Sequence, residues 1–472
     1  MDLLLTHGYF LYEDPKELQI MRPYPPLGLL YLSSYLKSKG YSVEVFDTTF
    51  RPRQELFYRL QAGPPSILGI YANLMTRSNV IKIMRAAREW GWKVVLGGPE
   101  PSNYIPEYLL AGADVIAIGE GERTLEELIP LLRSGNTSSL QSVNGIAFRT
   151  SNGSVCQTPS RSLIANLDLQ PWPDRESIDL SKYVEVWRQH HGTGSVSLIT
   201  ARGCPYHCRW CSHSVYGKTH RRRRPEGVAD EVEWIRSRYQ PDMLWIADDV
   251  FTIHHGWLFK YAEEMRRREL IIPFECITRA DRLTAKVADI LSELKCFRVW
   301  IGSESGSQPI LDAMDRGVTV EEVQKAISLC KERGIQTGMF LMWGYVGEEL
   351  TDIEATIEHV KRSDPDVFLT TVAYPIKGTD YFNEVGSSVV EVRDWHLSSD
   401  RDHRIRGRHS RRYYQYADQL LKTEVALHHL QKSSSSELAG SGSVEPNELA
   451  DLRRRSAQAR EALHLTNTEV EA

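Results

Sequence analysis

The stretch Gly203-Cys204-Pro205-Tyr206-His207-Cys208-Arg209-Trp210-Cys211, "GCPYHCRWC", decides how the rest of the chain is read. Three of the seven cysteines fall in this one short stretch. A tetrahedral metal centre takes four ligands, so the triplet leaves one position open. It follows directly on a β-rich run, "SVSLITARG" (195–203), which puts all three thiols on a loop at the C-terminal end of a strand. In an α/β barrel that end carries the reactive centre. Two chemistries fit: structural zinc completed by His207 or His213, and an iron–sulfur cluster in which one iron has no protein ligand.

Working outward, strand-like runs recur after the triplet at "MLWIADD" (243–249), "PFECITRA" (273–280), "FRVWIGSES" (297–305), "IQTGMFLMW" (335–343) and "DVFLTTVAYP" (366–375). Helical patterns such as "TAKVADILSELK" and "TVEEVQKAISLCKERG" separate them. Six β/α units without the length for eight predict an open, partial (β/α)6 barrel over 191–390. Upstream, residues 1–135 alternate β-rich runs, at 2–6, 41–47, 66–72, 93–98 and 114–121, with amphipathic helices. This is the pattern of a doubly wound, Rossmann-like parallel sheet. In one of these helices Val80, Ile83, Met84, Ala87 and Trp90 share a face and Gly91 stops it; Thr124 and Glu127 form a capping box for another. Residues 136–190 read as an irregular interdomain connection, 391–432 as a helical extension, and 433–472 as a flexible linker with a short charged helix.

Composition bounds the function. With 57 basic and 62 acidic residues the net charge is −5, which argues against a nucleic-acid partner. No run reaches the roughly 18 apolar residues of a transmembrane segment, and the N-terminus lacks the features of a signal peptide. A reducing cytoplasm follows as the expectation, where clustered cysteines are metal ligands more often than disulfides. Cys156, Cys276, Cys296 and Cys330 are dispersed and read as core residues.

At "GCPYHCRWC" the chain resembles the radical S-adenosylmethionine (SAM) family, whose C-x3-C-x2-C signature holds a [4Fe–4S] cluster on a partial barrel. In that family the open iron binds the amino and carboxylate groups of SAM. The segments "ADDVFT", "ITRADRL", "IGSESGSQPILDAMDRG", "GMFLMWGYVGE" and "YPIKGTDYF" are similar to the branch with an N-terminal cobalamin-binding domain, and the likeness covers about residues 1–390. The resemblance implies Cys204, Cys208 and Cys211 as cluster ligands, with Trp210 the family-typical aromatic. It implies Asp248 and Asp249 near the methionine amino group, and Arg279 and Glu304 near ribose and carboxylate. Competing structural roles for these four are strand-end caps and a strand-to-strand ion pair. Asn73, Leu74, Met75 and Arg77 would face the lower side of cobalt, while Gly97, Gly98, Pro99, Glu100, Gly119, Glu120 and Gly121 would cradle the nucleotide tail. The chain departs from the D-x-H-x-x-G cobalamin motif, since His7 stands in "THGYFLY", and there is no G-x-G-x-x-G after the first strand.

The activity so implied is methylation of an unactivated carbon of a small-molecule, peptide or lipid-precursor substrate, by a 5′-deoxyadenosyl radical and methylcobalamin. An external electron donor such as flavodoxin or ferredoxin would serve it. A cobalamin-dependent cyclase or rearrangement enzyme is the alternative; a zinc-stabilised binding protein is the remote one. The run Arg221–Arg224 reads as a solvated basic edge or as a contact for an anionic substrate or partner. Trp343, Tyr345 and Tyr374 sit near strand ends, as pocket lining or as packing.

Overall fold

A computed structural model describes residues 1–436 and 446–471. The apolar runs of the first 135 residues form five parallel strands: β1 (Leu3–His7), β2 (Val43–Phe46), β3 (Ile67–Tyr71), β4 (Lys93–Gly97) and β5 (Val115–Ala117). Buried on both faces, they need no polar alternation. Two further strands, β6 (Ile146–Arg149) and β7 (Val155–Gln157), add antiparallel to β5, giving the order β2-β1-β3-β4-β5-β6-β7. These strands and a helix at Leu180–His191 lie in the segment expected to be irregular. The hairpin is short and sits at the sheet edge, where its two β-ladders leave little periodic signal.

Helices cover both faces of this sheet. Leu4, Leu68, Ile70 and Val94 bury on one side, Leu3, Leu5, Val95 and Val115 on the other. The helix Arg77–Glu89 stops at Gly91, whose φ is +83°. The expected capping box does not form. That helix starts at Glu122, two residues before Thr124, whose hydroxyl donates back to the Glu120 carbonyl, while Glu127 pairs with Arg161.

The second sheet is wholly parallel, in the order β15-β14-β13-β12-β11-β8. It begins with β8 (Ser195–Leu198). The two-residue strands β9 (Ala201–Arg202) and β10 (Arg221–Arg222) then pair antiparallel across the cysteine loop. The series continues with β11 (Met243–Ile246), β12 (Phe274–Thr278), β13 (Cys296–Glu304), β14 (Gln336–Trp343) and β15 (Val367–Val372). Outward side chains such as Val299, Ile301, Met339 and Leu341 bury against the helices, and inward-facing Trp300 and Phe340 stack at 5.2 Å. Cys276, Cys296 and Cys330 are in the core, as expected of dispersed cysteines, and Cys156 is half-buried.

Beyond β15 the chain crosses back to the first sheet and forms a small ladder, β16 (Val389–Val390) with β17 (Arg404–Ile405). The helix Arg411–Ser436 packs Tyr413, Tyr414 and Leu421 into the barrel core. The terminal helix is Pro446–Thr466, longer than expected, and buries Ala459 and Leu463 in that same core. Most of the expected linker, 437–445, lies outside the described residues. Among the described residues no helix is long and apolar enough to cross a membrane.

Candidate functional site

The cysteine loop is held at both ends. The β9–β10 ladder closes its base, and Gly203 leaves β9 at φ +85°, where a Cβ would come within 2.4 Å of the Thr219 carbonyl oxygen. Only glycine meets that conformation without strain. Within the loop Cys204 is half-buried, Cys208 buried and Cys211 exposed. Burial pushes the Cys204 thiol up, with Asp249 and Cys208 adding to it. The three thiols share this loop, and among the described residues no three His, Cys, Asp or Glu side chains stand gathered as a metal site.

Two guanidiniums flank the buried member of this group. Arg279 Nη1 lies 3.9 Å and Arg316 Nη1 3.8 Å from Cys208 Sγ. Arg279 is otherwise committed to the loop and its surroundings: it donates to Asp281 Oδ1 at 2.8 Å and to the carbonyls of Arg316 and Gly317, and stacks 3.6 Å from the Tyr206 ring. Glu304 ends β13 at φ +63°, with Arg316 3.8 Å away. Burial nevertheless lifts its carboxyl to about 7. Arg316 was not singled out in the sequence; its place beside Cys208 depends on the turn after Gln308–Ala313, which brings it back to the β13 end.

Asp248 and Asp249 separate. Asp248 is buried and accepts from the backbone N–H groups of Thr200 and Ala201 and from Arg222 at 2.9 Å, so it anchors β8 to β11. Neither aspartate caps the following helix, whose N-cap is His254. Asp249 is exposed to a cavity, and among the described residues it has no hydrogen bond or ion pair; desolvation and then Asp248 raise its carboxyl.

That cavity, about 1170 Å³, lies between the two sheets. It exceeds the roughly 300–1,000 Å³ of ordinary small-molecule sites. The second sheet supplies Asp249, Gly203 and residues 212–217; the first supplies the loops after β1, β3, β4 and β5. Asn73, Met75, Gly97, Gly98, Pro99 and 119–121 are all on the wall. Asn73 caps its own turn by accepting from Met75 and Thr76 N–H, and Met75 is 56% exposed. A Cβ on Gly97 would meet nothing within 4 Å, whereas one on Gly98, at φ +109°, would lie 2.3 Å from the Ala72 carbonyl oxygen. At Gly97 and Gly98 the wall is thus bare backbone, while Tyr9, Phe10, Asn73 and Met75 line other parts of this side.

Other expected contacts lie elsewhere. Leu74 is half-buried and off the wall. Arg77 and Glu100 pair with each other in the interior, because the helix starting at Arg77 turns its side chain away from the cavity and towards Asp400. Glu120 reaches the wall, but its carboxylate is bound by Arg202 and Arg221 at 2.7 Å each. Trp210 packs beside Met342, Tyr345 and Tyr381. Trp343 and Tyr345 are buried in packing, and Tyr374 is half-buried near Arg401. The arginine run is neither a solvated edge nor an anion site: Arg221, Arg222 and Arg223 pair with Glu120, Asp248 and Glu231, and exposed Arg224 with Asp168.

A parallel sheet with bare glycine loops, facing a partial barrel that carries three thiols on its first loop, defines a two-cofactor class of enzyme. Residues 198–360 match the radical SAM superfamily and residues 20–129 the B12 binding domain. The chain belongs to the radical SAM enzymes with an N-terminal B12 binding domain. It is 28% identical over 384 residues to an uncharacterized methyltransferase of Pyrococcus horikoshii, covering 79% of this chain and 81% of that one. It is 27% identical to the anaerobic magnesium-protoporphyrin IX monomethyl ester cyclase of Rubrivivax gelatinosus, over 80% of this chain and 69% of the cyclase. The fold is that of the radical SAM methyltransferase TsrM from Kitasatospora setae, solved with cobalamin and a [4Fe–4S] cluster: TM-score 0.68, 20% identity, 85% of this chain and 80% of that chain. The two domains imply a [4Fe–4S] cluster, SAM and cobalamin.

Proposed function

We propose that the chain is a cobalamin-dependent radical SAM C-methyltransferase. The observation that carries this is one cavity lined by the glycine loops and by Gly203 and Ser212–Gly217, the residues on either side of the cysteine triplet. When bound, the cluster with SAM supplies radical removal of hydrogen from an unactivated carbon, and cobalamin supplies the methyl group. The chain's own part is placement, because a carbon radical offers little charge to stabilise.

In this reading Cys204, Cys208 and Cys211 hold the cluster, and Arg279 and Arg316 hold Cys208 in place. Asp249, unpaired on the wall, receives an ammonium group. Glu304 stands beside the loop as a carboxylate, and Trp210 within it is its packing partner against the barrel. Asn73, Met75 and the glycines after β4 and β5 support the second cofactor. Zinc would not account for the radical SAM match over the barrel. The substrate falls among small molecules, peptides and lipid precursors, the electron donor is a flavodoxin or ferredoxin, and the location is the cytoplasm that supplies such donors.

Cyclisation is the second reading, favoured by the likeness to the cyclase, whose identity is within a point of the methyltransferase's. Turnover separates them. Methyl transfer forms S-adenosylhomocysteine in step with 5′-deoxyadenosine; a cyclase forms 5′-deoxyadenosine alone.

A further inference from the structure

The segment that crosses back from the barrel ends at Asp400, which is 1% exposed. Its Oδ1 accepts from Arg77 Nη2 at 2.7 Å and from the Tyr104 hydroxyl at 2.6 Å, and its Oδ2 accepts from the Lys377 backbone N–H at 3.0 Å. Arg77 also donates to the Ser398 carbonyl at 3.0 Å and to Glu100, and its guanidinium lies 4.4 Å from the Tyr104 ring. Glu100 in turn accepts from Tyr108 at 2.8 Å. Three buried charges thus join segments 323 residues apart.

Their position relative to the cavity is the telling feature. Arg77 directly follows Thr76, and Glu100 directly follows Pro99; Thr76 and Pro99 line the cavity, whereas Arg77, Glu100 and Asp400 do not. Pro99 is tied to the cysteine loop as well, accepting from the Ser214 hydroxyl at 2.7 Å. Breaking one partner of a buried ion pair leaves an uncompensated charge, so neither loop can shift without a large penalty.

We propose that Asp400 is a positioning residue for the cofactor cavity: through Arg77 and Glu100 it fixes the loops after β3 and β4, and so sets the affinity for cobalamin. The inference rests on the cobalamin reading above. Asp400→Asn keeps the shape and removes the charge. Titrated with hydroxocobalamin and followed by absorbance, the reconstituted variant should bind on the order of tenfold more weakly than wild type, with iron per chain unchanged. The triple variant Arg77→Met/Glu100→Gln/Asp400→Leu replaces all three charges by neutral groups, which should recover the melting temperature but not the affinity. Wild-type affinity in either variant, or loss of iron in step with cobalamin, would overturn the proposal. A wild-type protein that takes up no hydroxocobalamin overturns the cobalamin reading itself, and the proposal with it.

Discussion

The two sheets reach the same cavity with different chemistry. The six-stranded sheet brings the unpaired Asp249 and the two ends of the cysteine loop, Gly203 and Ser212, with Arg279, Arg316 and Glu304 around the thiols behind them. The seven-stranded sheet adds bare backbone at Gly97, Gly98 and Gly119 to side chains such as Tyr9, Asn73 and Met75, while Arg77, Glu100 and Glu120 are held in ion pairs. A small reactive centre needs donors held at a point, whereas a large ligand needs surface that stays out of its way. The difference predicts that substitutions on the two sides fail in different ways.

The largest effect belongs to the cysteines. Changing Cys204, Cys208 or Cys211 to Ala should abolish cluster assembly, read as iron and sulfide per chain after anaerobic reconstitution, while cobalamin uptake by the other sheet persists. Next comes the charge buried between the two arginines Arg175 and Arg223: Glu231→Gln should cost about 3–5 kcal/mol in urea unfolding, since Glu231 is fully buried.

The glycine pair sharpens the contrast on the other side. Gly98→Ala should destabilise by roughly 1–3 kcal/mol, because φ is +109° and the new Cβ meets the Ala72 carbonyl oxygen. Gly97→Leu should leave the melting temperature unchanged and weaken cobalamin binding, because its side chain would enter open space. Equal losses of stability from both would contradict a bare backbone wall.

A separate effect is a pH dependence. Burial, with Asp352 adding to it, lifts the Glu348 carboxyl to about 8, against an ordinary value of 4.5. The unfolded chain ionises this group at the lower pH, so its contribution to stability is present below about 4.5 and declines as pH rises towards 8. Glu348→Gln should therefore match wild type near pH 5 and exceed it near pH 8 in urea midpoint.

Much of the fold was legible because its strands are apolar runs bounded by turns, and "GCPYHCRWC" was legible because its donors lie within one loop. The rest depends on long-range partners. Arg221 and Arg222 find their carboxylates 101 and 26 residues away, so a run that reads as a basic surface is internal ion pairing. Arg77 and Glu100 directly follow cavity-lining residues, yet Asp400 draws the Arg77 side chain away and Arg77 in turn holds Glu100. Thr124 and Glu127 had the spacing of a cap, but the helix begins at Glu122. Local spacing specifies a local site; it does not say which face a buried charge will turn to.

The most direct test of the shared cavity is anaerobic reconstitution with iron, sulfide and hydroxocobalamin, followed by absorption and electron paramagnetic resonance spectra of one sample. The account predicts a [4Fe–4S] signal together with stoichiometric cobalamin, seen as Co(II) on reduction. A full complement of cluster with no bound cobalamin would contradict it.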